Sequence, residues 1–191
     1  MKYTKIPEDT FKNLQMNAGI LCTDFDPSSG EISGQILGAT TGGLTFATNP
    51  TYNDFGSDID NCPNNTMELK KLDSFDPTIS GSFLSVTANL VKMLVGAADI
   101  EDTTKIVPRT ELLTTDFQDL WMVGDYSDVN TGEDAGFLAI HIMNALNTKG
   151  LEIKTTKNGK GTMSLECHGH YSMASQDVVP FEIYVKAGAS A

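Results

Sequence analysis

The chain has 191 residues and a formal net charge of −12, with 25 acidic and 13 basic side chains. This length suits one domain with a sizeable apolar core, so we interpret residues 1–191 as a single domain. Arg109 is the single arginine, and we therefore expect no specific nucleic-acid binding, because the bidentate side chain that binds phosphate or reads guanine is almost missing. No window is apolar enough to span a membrane, and the first residues are too polar for a signal peptide, so we expect no membrane partner and synthesis in the cytoplasm.

The acidic charge is unevenly distributed along the chain. Residues 99–134 hold ten acids and two bases, whereas residues 149–191 hold four acids and five bases. We expect one strongly acidic region on the folded surface. A coat of charge that keeps the protein soluble explains the same excess equally well.

Two segments with alternating polarity predict a long β-hairpin. In residues 44–52 the apolar side chains fall on even positions and small polar ones on odd positions. In residues 72–83 Phe75, Ile79 and Phe83 fall on odd positions, and polar side chains fill the even positions from 74 to 82. A period of two is typical of a strand with one buried face. We predict that the two segments pair and that their outer face is small and polar.

Residues 53–71 connect these two strands and are too many for a tight turn. Long loops in compact domains usually carry function, so we predict that this one projects from the domain. Its acids and amides include Asp54, Asp58, Asp60, Asn64, Asn65 and Glu68.

The rest of the chain predicts one helix and further strands. Over residues 87–98 apolar side chains recur on one stripe after Thr87, which can cap a helix. Strands are predicted at 117–126, 136–146, 151–156, 162–171 and 181–186. The segment 136–146 also suits a helix, but its length and flanking glycines favour a strand. The fold class is therefore mainly β, an antiparallel β-sandwich or barrel with one flanking α-helix and a long protruding hairpin loop.

One cluster suggests metal chemistry. Glu166, His168 and His170 alternate along a predicted strand and so share a face, which is a way to hold zinc, and His141 could add an imidazole. Histidines at this spacing also arise by chance, and no supporting carboxylate or open coordination position follows from the sequence. We therefore predict no catalytic residue, no metal and no cofactor.

The three cysteines suggest no site either. Cys22, Cys62 and Cys167 lie far apart without CxxC spacing, so we expect reduced thiols. Cys167 and His168 are adjacent on a predicted strand and point to opposite faces, which excludes a cysteine–histidine pair.

Several segments resemble the major tail proteins, or tail tube proteins, of long-tailed bacteriophages. The resemblance covers nearly the whole chain, although its motifs are structural and carry no catalytic content. The similar segments are Ile6 to Gln15, Asn17 to Gly19, Gly38 to Gly43, Asp58 to Pro63, Glu68 to Leu72, Gly159 to Thr162 and Gly169 to Tyr171.

The resemblance implies a β-sandwich whose copies form hexameric rings that stack into a tube. The long hairpin would contribute to a shared inner barrel, and the loop 53–71 would bridge to the neighbouring ring. We expect that loop and the N-terminal arm 1–18 to become ordered at ring contacts. The residues expected to line the channel are Thr45, Asn49, Thr51, Ser74, Asp76, Thr78 and Ser80.

The implied function is that of a non-enzymatic structural protein of the virion tail, made in the host cytoplasm. Expected partners are other copies of the chain, the tape-measure protein, and tail terminator and tail-tip proteins, while DNA passes without specific binding. An acidic wall repels DNA, whereas each phosphate neutralised by lysine adds affinity. Two other functions stay open: a β-sandwich binding module or adhesin, which exposed aromatic residues would favour, and a metal-dependent hydrolase using Glu166, His168 and His170.

Overall fold

A computed structural model describes residues 6, 7, 10, 13, 14, 17–126 and 135–188. Within these ranges the chain forms twelve β-strands and one α-helix, α1 (Ala88–Val95), with short 3-10 helices at Met67–Leu69 and Thr114–Asp116. The strands are β1 (Ile20–Cys22), β2 (Thr40–Ala47), β3 (Pro50–Asp54), β4 (Lys70–Phe75), β5 (Thr78–Phe83), β6 (Ala98–Glu101), β7 (Lys105–Pro108), β8 (Gln118–Asp125), β9 (Phe137–Asn147), β10 (Glu152–Lys154), β11 (Thr162–His168) and β12 (Phe181–Lys186).

Two layers of antiparallel strands face each other. One layer has the order β10-β11-β5-β2 and the other the order β1-β8-β9-β12, and a short pairing of β9 with β11 joins them. Both layers and α1 contribute side chains to one apolar core. Its fully buried members include Leu21, Ile79, Phe83, Leu90, Leu94, Leu120, Ile142, Met163, Leu165 and Cys167. The prediction of a mainly β, antiparallel sandwich with one flanking helix is confirmed.

The helix α1 begins after Thr87, whose side chain caps it, and ends at Gly96. Thr87 Oγ1 accepts a hydrogen bond from Leu90 N at 3.2 Å, which satisfies one of the free N–H groups of the first turn. Gly96 has a φ of +88°, a conformation that side chains with a Cβ rarely adopt. The predicted helix 87–98 was wrong at its C-terminal end, because Ala98 already belongs to β6.

We expect Thr87→Ala to lower the free energy of unfolding by about 1 kcal/mol, because Leu90 N loses its partner. Thr87→Ser keeps a hydroxyl at the same position and serves as the matched control, with a change within about 0.5 kcal/mol. Urea unfolding of the three proteins measures the difference. Equal stability of Thr87→Ala and the native chain would contradict the role of the cap.

Both long strands of the predicted hairpin are interrupted. The segment 44–52 divides between β2 and β3, and the segment 72–83 divides between β4 and β5. Pro77 has no N–H for a ladder, and Asn49 has a φ of 41°, outside the β region. The partners are nevertheless those predicted, because β2 pairs with β5 and β3 pairs with β4.

The later strands agree with the sequence analysis to different degrees. The prediction 181–186 has the bounds of β12, and 117–126 and 136–146 differ from β8 and β9 by one residue at each end. The prediction 151–156 was too long, because the chain after β10 turns through Asn158, which has a φ of 56°. The prediction 162–171 was too long at its C-terminal end, because after His168 the backbone leaves the β5 ladder and His170 N donates to Met143 O at 3.2 Å. The short strands β1, β6 and β7 were missed, since three or four residues carry too little alternation to be recognised.

The single arginine is engaged inside the fold. Arg109 Nη2 lies 2.5 Å from Asp116 Oδ1, and its Nη1 donates to Glu111 O at 2.8 Å. Asp116 is buried and also accepts a hydrogen bond from Leu113 N at 2.8 Å. The guanidinium therefore joins β7 to the following 3-10 helix and is not presented to a phosphate.

Asp116 should make stability depend on pH. Burial alone would raise the pKa of this carboxyl, but the hydrogen bond from Leu113 and the contact with Arg109 outweigh it, and the pKa is lowered from 3.8. Such a group stabilises the fold above its unfolded pKa, and this contribution is lost as the pH falls through the folded pKa. We expect Asp116→Asn to be less stable than the native chain at about pH 7, with a difference that shrinks below about pH 4. Thermal unfolding at stepped pH measures it, and a difference that stays constant down to about pH 2 would contradict this account.

Candidate functional site: the polar face of the hairpin sheet

One face of the layer β10-β11-β5-β2 carries small polar and charged side chains. Neighbours in register form three rows across the strands: Thr41, Ser82, Ser164 and Glu152; Thr45, Ser80 and Glu166; Ala47, Thr78 and His168. The residues between them along each strand, such as Ile79 and Leu165, point the other way and are buried. Among these described residues none on the outer face is large and apolar. We call this surface the polar face.

Five of the seven residues expected to line a channel lie in the paired strands of the hairpin. Thr45, Thr78 and Ser80 belong to the polar face. Thr51 and Ser74 are partners in the β3–β4 ladder. For Thr45, Thr78 and Ser80 the alternation of the sequence therefore identified the side of the layer on which they lie, and that all seven line a channel stays a prediction.

The other two, Asn49 and Asp76, lie where the hairpin passes from one ladder to the other. Asn49 Nδ2 donates to Asp76 O at 3.0 Å and to Thr78 Oγ1 at 3.3 Å. Asp76 N in turn donates to Asn49 O at 3.3 Å. These bonds connect the two sides of the hairpin where ladder pairing stops.

The strand β11 adds charged side chains that the sequence analysis did not assign to this surface. His168 Nδ1 lies 2.7 Å from Asp76 Oδ1, and His168 Nε2 lies 3.8 Å from Glu166 Oε1. Lys149 Nζ lies 3.5 Å from Glu166 Oε2 and offsets its charge. The polar face is therefore only mildly acidic. The pairing of β11 with β5 joins residues about 80 positions apart, and no local pattern shows it.

The most acidic segment of the sequence does not belong to the polar face. Its described part, 99–126, forms β6, β7, a 3-10 helix and β8, none of which is a strand of this layer. Residues 127–134 lie outside the described residues. The acidic region expected from composition and the polar face are therefore different surfaces.

The histidines considered as metal ligands lie in separate environments. His170 follows the end of β11, with Nδ1 3.0 Å from Asn144 O and its ring against Phe117. His141 lies on β9 in the other layer and stacks on Trp121, with the two ring centroids 4.1 Å apart. Across the described ranges no three His, Cys, Asp or Glu side chains are grouped so that they could hold a metal ion.

The cysteines are free thiols. Cys167 lies in the core, where burial raises the pKa of its thiol to about 12. His168 beside it points to the polar face, so the two side chains lie on opposite faces as predicted.

The connection between β3 and β4 presents exposed acids. Asp54 accepts hydrogen bonds from Asn65 N and Gly56 N, both at 2.9 Å, and these bonds lower the pKa of Asp54. The other residues expected to bridge rings are exposed: Asp58, Asp60, Asn64 and Glu68. Of the N-terminal arm 1–18, most residues lie outside the described ranges.

Large apolar side chains surround these acids. Phe55 is 59% exposed, Ile59 51%, Met67 80% and Tyr52 52%. Such a concentration of exposed apolar surface is typical of a contact region. This exposed apolar surface was not predicted from the sequence, because only the acids and amides of the loop were considered there. Trp121, in contrast, is only 7% exposed.

The layer with the polar face ends in two free edges. In the part of the chain that the structure describes, β2 pairs with β5 alone and β10 pairs with β11 alone. A free edge presents unpaired N–H and C=O groups that can pair with a strand of another chain.

Comparison with known proteins adds no assignment. No protein-family model matches the chain, and no match was found among curated proteins. No described helix has the length and hydropathy needed to cross a bilayer.

Proposed function

We propose that this protein is the tail tube subunit of a long-tailed bacteriophage, a structural virion protein whose copies form stacked rings around a channel for DNA. The resemblance of several sequence segments to tail tube proteins supports the proposal. The single structural observation that carries it is a four-stranded layer with a small polar outer face and two free edges.

The free edges suggest how copies join. In the proposed ring, β2 of one copy lies beside β10 of the next, which satisfies the backbone groups of both edges. At about 4.8 Å per strand, six four-stranded layers would close a barrel about 37 Å across at the backbone, and strand tilt would widen it. Such a barrel has no remaining edge.

The polar face suits the inside of that barrel. Serine and threonine side chains are short and offer no apolar surface to a passing rod. The carboxylates of Asp76 and Glu166 give phosphate no attractive partner, and Lys149 lies beside one of them. Lys154, which pairs with Thr162, is a base on this face, at the end of β10. A channel must not hold DNA, because each neutralised phosphate releases counterions and adds affinity.

In this role the protein needs no catalytic residue, metal or cofactor. The channel would hold the tape-measure protein before DNA passes, and the two ends of the tube would contact the tail terminator and tail-tip proteins. The subunit would be made in the host cytoplasm and reside in the tail of the virion.

Negative-stain microscopy of the concentrated protein tests the proposal. We expect rings or tubes with a hollow centre. Single compact particles, both alone and after addition of preformed ring fragments as templates, would contradict it.

A further inference from the structure

The layer with the polar face carries opposite charges beyond its two ends. The acidic loop, residues 55–69 between β3 and β4, contains Asp58, Asp60 and Glu68 and no base. The basic turn, residues 154–161 from the last residue of β10 to the residue before β11, contains Lys154, Lys157 and Lys160 and no acid. Because the chain as a whole is strongly acidic, a turn with three bases and no acid is exceptional within it.

The strand registers place these two segments at opposite ends. Phe83, the last residue of β5, pairs with Met163 next to the basic turn, whereas Thr78, the first residue of β5, pairs with His168. β4 leads from the acidic loop into β5, so the acidic loop lies beyond the Thr78 end. The six residues of β5 alone separate these two ends by roughly 20 Å at 3.3 Å per residue. The acidic loop and the basic turn of one copy therefore lie beyond opposite ends of this layer.

None of the six charged side chains has a partner within its own copy among the described residues. All six are exposed, and none of them belongs to an ion pair within 4.0 Å. Lys149, an exposed lysine in the connection between β9 and β10, does have a carboxylate partner in Glu166.

Apolar side chains accompany the charges at both ends. Phe55 and Met67 on the acidic loop are 59% and 80% exposed. At the start of the basic turn, Ile153 on β10 is 60% exposed. An apolar centre with a charged rim is the common composition of a protein interface.

We propose that the basic turn of one copy is the docking surface for the acidic loop of a second copy, joined head to tail along the strands. The contact is heterologous, because it joins two different surfaces. A free acidic loop therefore remains at one end of the assembly and a free basic turn at the other, and further copies can add there. The inference rests on the proposed function in that it specifies the contact between stacked rings.

Charge reversal tests the contact. The loop-reversed variant is D58K/D60K/E68K, and the turn-reversed variant is K154E/K157E/K160E. Alone, each variant places like charges opposite each other, and we expect self-association to weaken at least about tenfold. A combined variant with all six changes keeps the native net charge and should associate again. An equimolar mixture of the two reversed proteins should also associate, because each supplies the partner that the other lacks.

Sedimentation velocity at low and high salt provides the readout, since screening shortens from about 10 Å at 0.1 M to about 3 Å at 1 M ionic strength. Zero-length carbodiimide cross-linking of mixed isotope-labelled and unlabelled protein captures weak contacts. We expect intermolecular links between the lysines of the basic turn and the acids of the acidic loop, and their loss in either reversed variant.

Several results would overturn the inference: reversed variants that each associate like the native chain, a mixture that associates no better than its components, or native protein without these cross-links. Rings or tubes that persist in both reversed variants would overturn this contact and leave the proposed function standing. The expected cross-links in a protein that forms filaments without a hollow centre would support the contact and contradict the tube.

Discussion

Two lysines per copy on the polar face, introduced as T45K/S82K, should change a tube that releases duplex DNA into one that retains it. Thr45 lies on β2 and Ser82 on β5, in different rows of the polar face. Thr45 pairs with Ser80, and Ser82 pairs with Thr41 and Ser164, so neither new ammonium group has a carboxylate as its direct cross-strand partner and both would be available to phosphate.

The expected effect is large because the contacts repeat around the ring. Each phosphate neutralised on a duplex contributes a slope of about −0.9 to the logarithm of the binding constant against the logarithm of salt concentration. With about six contacts, affinity should fall by about a thousandfold between 50 and 200 mM salt. Native tubes should show no comparable binding.

Fluorescence anisotropy of a labelled duplex added to assembled tubes measures this effect. The variant T104K/T110K is the matched control, because it adds the same charge at exposed positions outside the polar face. Steep, salt-sensitive capture by native tubes would contradict a non-retaining channel. Equal capture by the two lysine variants would contradict the placement of the polar face inside it.

Asn147→Ala should lower the free energy of unfolding by about 3 kcal/mol, because it leaves buried groups without partners. Asn147 is 4% exposed. Its Nδ2 donates to Leu94 O and to Gly150 O, and its Oδ1 accepts from Glu166 N at 3.1 Å. This one side chain therefore connects the end of α1, the turn after β9 and the strand β11.

Asn89→Ala is the matched control for this substitution. Asn89 is exposed on α1, and its replacement should change stability by no more than about 0.5 kcal/mol. Urea unfolding gives both values. A loss below about 1 kcal/mol for Asn147→Ala would show that water or a rearranged turn replaces its hydrogen bonds.

The parts of the fold that sequence alone predicts are those with one buried and one exposed face. In β5, Ile79 and Phe83 alternate with serine and threonine, so the pattern shows both the strand and its polar side. β9 is a harder case, because it has apolar residues on both faces and suits a helix as well. Its length and flanking glycines favoured a strand, and the structure confirms this prediction.

The parts that sequence did not predict depend on contacts between distant residues. Nothing near Glu166 or His168 shows that β11 lies beside β5, and the free edges of β2 and β10 follow only from the complete strand order. The acidic segment 99–134 was recognised by composition, which does not tell on which layer a charge lies. The early end of α1 depends on the backbone conformation at Gly96.

The central claim is that the polar face lines the inside of a tube, and cysteine accessibility tests it most directly. Ser80→Cys is introduced together with Cys62→Ser, since Cys22 and Cys167 are fully buried. The reagent is a maleimide attached to a polymer too large to enter the channel. We expect Ser80→Cys to react in the dissociated subunit and to be protected in tubes, while Thr110→Cys in the same background reacts in both. Full reaction of Ser80→Cys in intact tubes would contradict the account.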